Sequence, residues 1–414
     1  MVGSTLPTEV LAGVFGQLPP SNLAIASRVC REWKKVAFSS LYHTVYLCLA
    51  AHLEQFAKRI LAEEVGSQVS IAANLKGLVL DIKYMDEREE EMITDSDIAN
   101  INAIIPRLTN LQALSWSLMF VPQDPETFRL FQTRCPKLTS VHIWIQDDID
   151  FYGDQYTSTD GESTYSPAAL VASLGEKHVF SRLERFRAHG HEDPDWTKFF
   201  TKPESNSLRQ FFTRHPGIED LGLGLFNETE YGDVIDPAQI AQLFPSLKHF
   251  EGPTFIFLPI VQSSLTKQIE TLVIVDDQLK EGDIPLSKIY DKISALPKLK
   301  KFGIWSGEAE EDILVNVLRT VVNAASQLEE VEIHPDLEGD YNEVMNLLKK
   351  MSNLGSITLN ESVLAAAAEN DGEDEVEWSG LASKLRSTCP KLRTIYKAIR
   401  AFGGDNREKV WEFS

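Results

Sequence analysis

One candidate for a chemical function is a short segment that resembles the start of a calcium-binding loop, which we call the calcium-like segment. Asp148 and Asp150 start the alternating acidic pattern of a calcium-binding loop, and Gly153 follows. Tyr152, however, replaces a short oxygen-bearing ligand, and Thr159 stands where such loops carry a bidentate glutamate. We therefore predict a polar loop without a bound ion.

Two further segments carry metal-type or nucleotide-type residues. The run His189-Gly190-His191-Glu192 could coordinate a metal, but no other ligand joins it in the sequence, which favours an ordinary polar loop. Gly222-Leu223-Gly224 lies inside a strand pattern and does not precede a helix, which argues against a nucleotide site. The sequence also lacks the nucleophile elbow, the phosphate loop, the zinc-protease helix and zinc-type cysteine pairs. We predict no cofactor, no metal and no enzymatic activity.

The composition restricts the partners that the chain can have. Its 414 residues are 43% hydrophobic and 24% charged, and they suffice for a small domain plus a large one, or for a repeat array. The net charge is -21; residues 1–50 hold four basic and two acidic side chains, so the remainder carries -23. So acidic a body repels phosphate backbones, and we expect no nucleic-acid partner.

The sequence indicates neither a membrane segment nor a secretory segment. No apolar run approaches the ~20 residues of a membrane span, and MVGSTLPTEV lacks the basic-then-apolar start of a secretory signal. Cys30, Cys48, Cys135 and Cys389 show neither close pairing nor zinc-type spacing, so we expect reduced, mostly buried thiols. A cytoplasmic and/or nuclear protein is the prediction.

One apolar pattern recurs after the first 50 residues: Leu or Ile, two residues, an apolar residue, one residue, and usually another apolar residue. Its eleven instances begin at Leu75, Leu111, Leu138, Leu183, Ile218, Leu247, Ile269, Leu299, Leu328, Leu354 and Leu392. Several have a proline two residues earlier, as in the repeated tetrapeptides Cys135–Leu138 and Cys389–Leu392. Such a proline ends a helix and starts an extended segment.

Helices are predicted between several of these strands. They cover Glu126–Arg134, Ser287–Leu296, Ile313–Ser326 and Asn342–Met351. A helix, a proline turn and a short strand about every 30 residues are typical of a leucine-rich-repeat solenoid, an α/β fold with an open horseshoe shape. The spacing is irregular, and the usual Asn or Cys ladder position is generally absent, so a non-repetitive α/β domain is the alternative. Acidic insertions are expected at about 147–167 and 369–377.

Before this array, three short helical patterns occupy about forty residues. Val10, Leu11, Val14, Phe15 and Leu18 form the first apolar stripe, which Pro7 opens and Pro19-Pro20 ends, with Ser21 or Asn22 as the next cap. A second stripe runs from Leu23 to Cys30, and a third from Trp33 towards Tyr42. So small a unit buries too little surface to be stable alone and needs a partner or a neighbouring domain.

The residue identities in this segment resemble the F-box family. The family pattern is matched by Leu6-Pro7, Glu9-Val10-Leu11, Val14-Phe15, Leu18, Ser21, Leu23 and Val29-Cys30-Arg31-Glu32-Trp33. Ala26 and Ser27 depart from it, since many members carry bulkier residues there. We therefore predict an F-box over residues 1–50 and an irregular leucine-rich-repeat domain over residues 51–414.

The resemblance implies a function. F-box modules dock on the Skp-type adaptor of SCF ubiquitin ligases, which links them to a cullin, and the F-box protein holds a protein substrate. The adaptor-binding residues implied here are Leu6, Pro7, Val10, Leu11, Phe15, Leu18, Leu23, Val29, Cys30 and Trp33. Two alternatives stay open: an adaptor-binding scaffold outside a cullin ligase, and a hydrolase with an unrecognised site. The missing catalytic constellation argues against the hydrolase.

Strand alternation predicts the substrate surface of the repeat domain. If Val141 and Ile143 point towards the core, His142 and Trp144 point away from it. By the same register Trp305 and His334 lie on the outer face of their strands. Exposed tryptophans on such a face are good anchors for a protein partner. The alternative is that local packing or an inserted loop covers them.

Overall fold

The structure is a computed structural model of a chain that divides into two units. It describes residues 6–64, 69–82, 94–118, 126–145, 179–189, 195–224, 235–279, 295–309, 311–335, 341–360, 382–383, 385–387, 389–398 and 407–412. The units are Met1–Phe186 (unit 1) and Arg187–Ser414 (unit 2). The predicted insertions at 147–167 and 369–377, the calcium-like segment and residues 190–192 lie outside the described residues.

Unit 1 begins with the three predicted helices. They are α1 (Thr8–Phe15), α2 (Pro20–Ala26) and α3 (Arg31–Leu41). The predicted cap at Ser21 or Asn22 is wrong, because Pro20 already occupies the first helical position, where its missing N–H is not needed. The Cys30 side chain caps α3, since its Sγ accepts a hydrogen bond from the Trp33 backbone N–H at 3.4 Å.

The rest of unit 1 alternates strands with helices. Its elements are β1 (Thr44–Leu47), α4 (Ala50–Leu61), α5 (Ile71–Asn74), β2 (Gly77–Ile82), α6 (Asp95–Ile104), a 3-10 turn (Ile105–Arg107), β3 (Ala113–Leu118), α7 (Glu126–Arg134) and β4 (Ser140–Ile145). The four strands are parallel and pair in chain order. A capping box between Thr94 and Asp97 starts α6.

Unit 2 repeats the same alternation, and β5 (Arg185–His189) crosses the boundary between the units. Its elements are α8 (Trp196–Thr201), α9 (Ser207–Arg214), β6 (Asp220–Gly224), α10 (Pro237–Leu243), β7 (His249–Gly252), α11 (Thr254–Gln262), a 3-10 turn (Ser264–Lys267), β8 (Thr271–Leu279), β9 (Lys301–Ala309), α12 (Glu311–Ala324), β10 (Glu330–Ile333), α13 (Tyr341–Leu348), β11 (Ser356–Leu359), β12 (Thr394–Ala398) and β13 (Arg407–Glu412). Strands β6 to β12 are parallel in chain order, and β13 joins β12 antiparallel.

The repeated apolar pattern explains this sheet. All eleven predicted instances become strands β2 to β12. Their middle apolar residues stand in one register row, which in unit 2 runs through Leu221, Phe250, Leu272, Phe302, Val331, Ile357 and Ile395. Every member of that row is buried. Side chains of a strand alternate between two faces, so this row places one face of the sheet against the helices. The mixed α/β fold with an open array of parallel strands is confirmed.

The repeated tetrapeptide makes the same contacts in both units. In unit 1, Cys135 Sγ points at the Ile105 carbonyl at 3.9 Å, and Lys137 Nζ donates to Asn110 Oδ1 at 2.6 Å. In unit 2, Cys389 Sγ donates to the Leu348 carbonyl, and Lys391 donates to Asn353. Each asparagine donates in turn to a carbonyl of the repeat before it. The same polar contact between repeats therefore occurs at Asn110 and at Asn353, and in both places it lies before the strand and not after it.

Other predictions of structure have mixed outcomes. The helix at Glu126–Arg134 is confirmed, and the later two appear with shifted ends as α12 and α13. Most of the predicted helix at 287–296 lies outside the described residues. Cys135 and Cys389 are buried, but Cys30 and Cys48 are exposed, so the prediction of mostly buried thiols is wrong for the N-terminal pair. Among the described residues, no helix is long and apolar enough to cross a membrane, and no three potential ligands form a metal cluster.

Candidate functional site

The three N-terminal helices have a small core of their own. Leu11, Phe15 and Leu23 are 7%, 2% and 4% exposed, and they form this core with Ala26 and Ala37. Leu18, Trp33, Val36 and Leu41 pack against it while staying partly exposed. The rings of Phe15 and Trp33 meet edge to face, with 5.3 Å between their centroids. One aromatic pair therefore ties α1 to α3.

A second set of apolar side chains on the three N-terminal helices is exposed to solvent. Leu6, Val10, Val14, Ile25 and Val29 are between 48% and 66% exposed. Val10 and Val14 stand four residues apart, so they share one face of α1, while the buried Leu11 and Phe15 share the adjacent one. We call these five residues the exposed apolar set. Val10 and Val14 therefore form an exposed apolar face of α1, separate from the face that packs into the core.

In unit 2, a polar surface lies on the face of the sheet opposite the core. One register row on this face runs through Asp220, His249, Thr271, Lys301, Glu330, Ser356 and Thr394. The next row runs through Gly222, Glu251, Val273, Gly303, Glu332, Thr358 and Tyr396. These positions alternate with the apolar row, so their side chains leave the sheet on the other side. We call this surface the polar face of unit 2.

The first charge cluster of the polar face centres on Arg187. Its guanidinium donates to Glu251 Oε2 at 2.8 Å and to Asp220 Oδ1 at 3.2 Å. Glu251 is only 7% exposed, and burial raises its pKa, although Arg187 acts in the opposite direction. Glu251 also lies 3.9 Å from His189 Nε2. Arg187 is therefore the cation that compensates a carboxylate on the sheet itself.

Two glycines make room for this cluster. A Cβ atom on Gly222 would lie 2.8 Å from Arg187 Cγ, and one on Gly224 would overlap His189 Nδ1. Real Cβ contacts are not so short, so a larger residue at either position would displace the neighbouring side chain. The Gly222-Leu223-Gly224 segment thus serves close side-chain packing in a strand, as its strand pattern indicated.

The second charge cluster centres on Glu330 and Glu332. Lys301 Nζ donates to Glu332 Oε1 at 2.8 Å, and Arg407 donates to Glu330 Oε1 at 2.5 Å. Arg407 also lies over the ring of Tyr396, 4.4 Å from its centroid. The indole N–H of Trp305 completes the cluster by donating to Glu332 Oε2 at 3.1 Å. Strand β13 thereby contributes a cation to the face that the parallel strands build.

A cavity of about 300 Å³ has both clusters in its wall. Trp305 and His334 line it, with 5.2 Å between their ring centroids. Burial lowers the pKa of His334 to about 4, with smaller contributions from Lys301 and Arg407, so the ring is neutral at neutral pH. Thr271 also lines the cavity, where its hydroxyl meets His249 Nδ1 at 2.9 Å. The cavity wall thus combines charged and hydroxyl groups with the rings of Trp305 and His334.

The pKa of His189 predicts how the stability of the folded chain depends on pH. Burial, helped by Arg187, lowers this pKa from 6.5 to about 3, so the folded chain keeps the ring neutral while the unfolded chain protonates it below 6.5. The stability associated with His189 is therefore complete above pH 6.5 and is lost as the pH falls from 6.5 towards 3. Between about pH 6 and pH 4, the unfolding free energy of the wild type should fall by about 1.4 kcal/mol more per pH unit than that of His189→Gln. Urea unfolding measures both. Parallel pH profiles for the two proteins would contradict this.

Comparison with known proteins bears first on the N-terminal helices. A family model described as F-box-like matches residues 4–48. The N-terminal segment is an F-box-like domain. The strand array that follows it has the repeated pattern and the parallel strands of a leucine-rich-repeat protein. A search of curated proteins found no match.

Two solved structures show distant similarity. One is the leucine-rich-repeat-containing protein LegL7 from Legionella pneumophila, with 11% identity and a TM-score of 0.42, covering 76% of this chain and 89% of that one. The other is from the Rad7 and Elc1 complex in yeast, with 13% identity and a TM-score of 0.42, covering 95% of this chain and 92% of that one.

The F-box-like domain divides the predicted adaptor-binding residues into two groups. Leu11, Phe15 and Leu23 lie in its core, with Leu18 and Trp33 packed against them. Leu6, Pro7, Val10, Val29 and Cys30 are exposed. Val14 and Ile25 are exposed apolar residues that the prediction omitted. The signal for Val14 was its spacing of four from Val10, because α1 carries two adjacent apolar stripes and only one can face a core.

The predicted substrate residues also differ in their surroundings. Trp305 and His334 are half-buried and line the cavity of unit 2. His142 and Trp144 lie in unit 1, with 6.3 Å between their ring centroids. Trp144 is 7% exposed, which agrees with the alternative that this tryptophan is covered. Strand alternation fixes the side of the sheet and not what covers it. The prediction missed Arg187, Lys301, Glu332 and Arg407, although polar residues at every second strand position were a usable signal.

Proposed function

We propose that this chain is the substrate receptor of an SCF-type ubiquitin ligase. The observation that carries the proposal is an F-box-like domain whose exposed apolar set has no partner within the described residues. In this proposal the exposed set contacts a Skp-type adaptor, and the adaptor links the chain to a cullin. The repeat array then holds a protein substrate, with the polar face of unit 2 as its contact surface.

The burial pattern supports a division of labour within the F-box-like domain. Leu11, Phe15 and Leu23 hold the three helices together, and Val10, Val14 and Ile25 are available to a partner. A three-helix module of this size buries too little surface to be stable alone, so covering its outer side chains would stabilise it as well. The contribution to ubiquitin transfer is proximity, which raises the effective concentration of the substrate and requires no catalytic group in this chain.

Affinity capture with an exposed-site variant tests the proposal. Val10→Glu places a carboxylate in the surface that the adaptor would cover, and burying an unpaired charge is costly. We expect the wild type to capture the adaptor and a cullin, and Val10→Glu to capture at least tenfold less adaptor. Leu61→Glu is the matched control, because Leu61 is 40% exposed on α4, outside the F-box-like domain. The double variant Leu6→Ala/Pro7→Ala should also lose the adaptor.

Other outcomes would change the proposal. A wild-type chain that captures no adaptor, while it remains folded, would refute it. Equal losses in Val10→Glu and Leu61→Glu would show that the effect is not specific to the exposed apolar set. Capture of the adaptor without a cullin would favour a scaffold protein that acts outside a ligase.

A further inference from the structure

In the wall of the cavity of unit 2, the basic side chains are more exposed than the acidic ones. The Arg187 side chain is 38% exposed, whereas that of its partner Glu251 is 9% exposed. Lys301 is 26% exposed, and its partner Glu332 is 3% exposed. A group that enters the cavity of unit 2 therefore meets guanidinium and ammonium groups before it reaches a carboxylate.

The same cations have donors to spare. A guanidinium carries five N–H donors and an ammonium carries three. Arg187 uses its two terminal nitrogens on Glu251 and Asp220, and Lys301 bonds to Glu330 and Glu332. At least one N–H of each therefore remains for a ligand, and both side chains line the cavity. The buried carboxylates fix the two donors in place, which prepares them for a ligand before it arrives.

The two clusters face one cavity. Lys301 from the second cluster lowers the pKa of Glu251 in the first by its charge, so the clusters are near each other. Trp305 and His249 also line this cavity. A ligand that displaced Arg187 or Lys301 would leave a buried carboxylate without its cation. Leaving such a charge without its partner is strongly unfavourable.

The formal charge of the two clusters indicates which of two anions, a phosphate or a carboxylate, fits the cavity better. Arg187, Lys301 and Arg407 face the carboxylates of Asp220, Glu251, Glu330 and Glu332, so the clusters together carry one negative charge. A phosphate group brings close to two further negative charges at neutral pH, but a carboxylate brings one. A carboxylate is also planar and matches a guanidinium edge. The smaller charge and the shape favour a carboxylate over a phosphate group.

We infer that the cavity of unit 2 binds a single carboxylate group of a protein substrate. Arg187 and Lys301 are the donors, and Trp305 packs against the methylene groups or the backbone next to the carboxylate. The carboxylate belongs either to an Asp or Glu side chain or to the C-terminus of the substrate. That the ligand is a substrate rests on the proposed function, whereas binding of the carboxylate does not.

Labelled heptapeptides with the same Gly and Ser flanks test the inference by fluorescence anisotropy with the full chain. One peptide carries a central Glu and an amidated C-terminus, and a second carries a central Gln and a free C-terminus. The reference peptide carries Gln and an amide, and two more carry phosphoserine or Lys with an amide. We expect the first or the second to bind at least tenfold tighter than the reference, and the identity of that peptide names the source of the carboxylate.

Paired substitutions locate the site without changing the net charge. Arg187→Gln/Glu251→Gln and Lys301→Gln/Glu332→Gln each remove one positive and one negative charge, and circular dichroism checks that both remain folded. We expect each to reduce the carboxylate preference to less than twofold. Glu126→Gln/Arg129→Gln is the matched control, because it removes an ion pair of 3.0 Å on α7 in unit 1. That control should keep the full preference.

Several results would overturn the inference. These are a preference that survives both paired substitutions, tighter binding of the phosphoserine or Lys peptide than of either carboxylate peptide, and no peptide binding better than the reference. Val10→Glu separates this inference from the proposed function, because it should lose the adaptor and retain the carboxylate preference. The paired variants of unit 2 should do the reverse.

Discussion

Replacing Phe15 by alanine should unfold the F-box-like domain while the strands of the repeat array stay folded. Phe15 is 2% exposed and contacts Trp33 across the only core that the three helices share among the described residues. Removing a buried phenylalanine costs about 3–5 kcal/mol, and so small a helical module has little more stability than that to lose. We expect amide protection in residues 8–41 to fall to the level of an unfolded chain in hydrogen exchange, and adaptor capture to be lost with it.

The control for this experiment lies one position earlier in the same helix. Val14 is 51% exposed, so Val14→Ala should change the unfolding free energy by less than about 0.5 kcal/mol. If both variants retained amide protection, the assignment of Phe15 to the domain core would be contradicted. If both lost it, the distinction between the core and the exposed apolar set would fail.

The strands could be predicted because their signal is local. Each of β2 to β12 carries an apolar residue at the position that pairs with its neighbour, and a period of two is visible in a few residues. The repeated pattern does not predict the first and last strands, for different reasons. β1 follows directly on the N-terminal helices and lies within the segment predicted as the F-box. β13 is antiparallel and lacks the repeated pattern.

The charge clusters could not be predicted from the sequence because their members are distant from one another along the chain. Arg187 and Glu251 are separated by 64 positions, and Arg407 and Glu330 by 77. Spacing alone cannot pair such residues, since the pairing depends on the register of several strands. The register itself follows from the apolar row. Once that row is aligned, Asp220, Lys301 and Glu330 fall into one polar row, so an alignment of the repeats could have shown the site in part.

Replacing Arg187 by methionine should strongly destabilise unit 2. The substitution leaves Glu251, which is 7% exposed, and Asp220 without their bonded cation. Breaking a buried ion pair costs about 3–5 kcal/mol, and the partial exposure of Arg187 reduces this to roughly 3 kcal/mol. Urea unfolding, followed by a probe within residues 187–414, should show this loss. It should exceed the effect of methionine at Arg129, because the side chain of its partner Glu126 is 43% exposed.

The physical cause of this loss can be separated from the loss of packing. If the cost comes from a stranded carboxylate, Glu251→Gln should recover about half or more of it in the Arg187→Met background, because the neutral amide needs no counter-ion. The same Glu251→Gln change in the wild type should be destabilising or neutral, since it removes a partner of Arg187. Equal effects of Glu251→Gln in the two backgrounds would mean that the residues are not coupled. Arg187 would then stabilise the sheet through its methylene groups alone, which lie against Gly222.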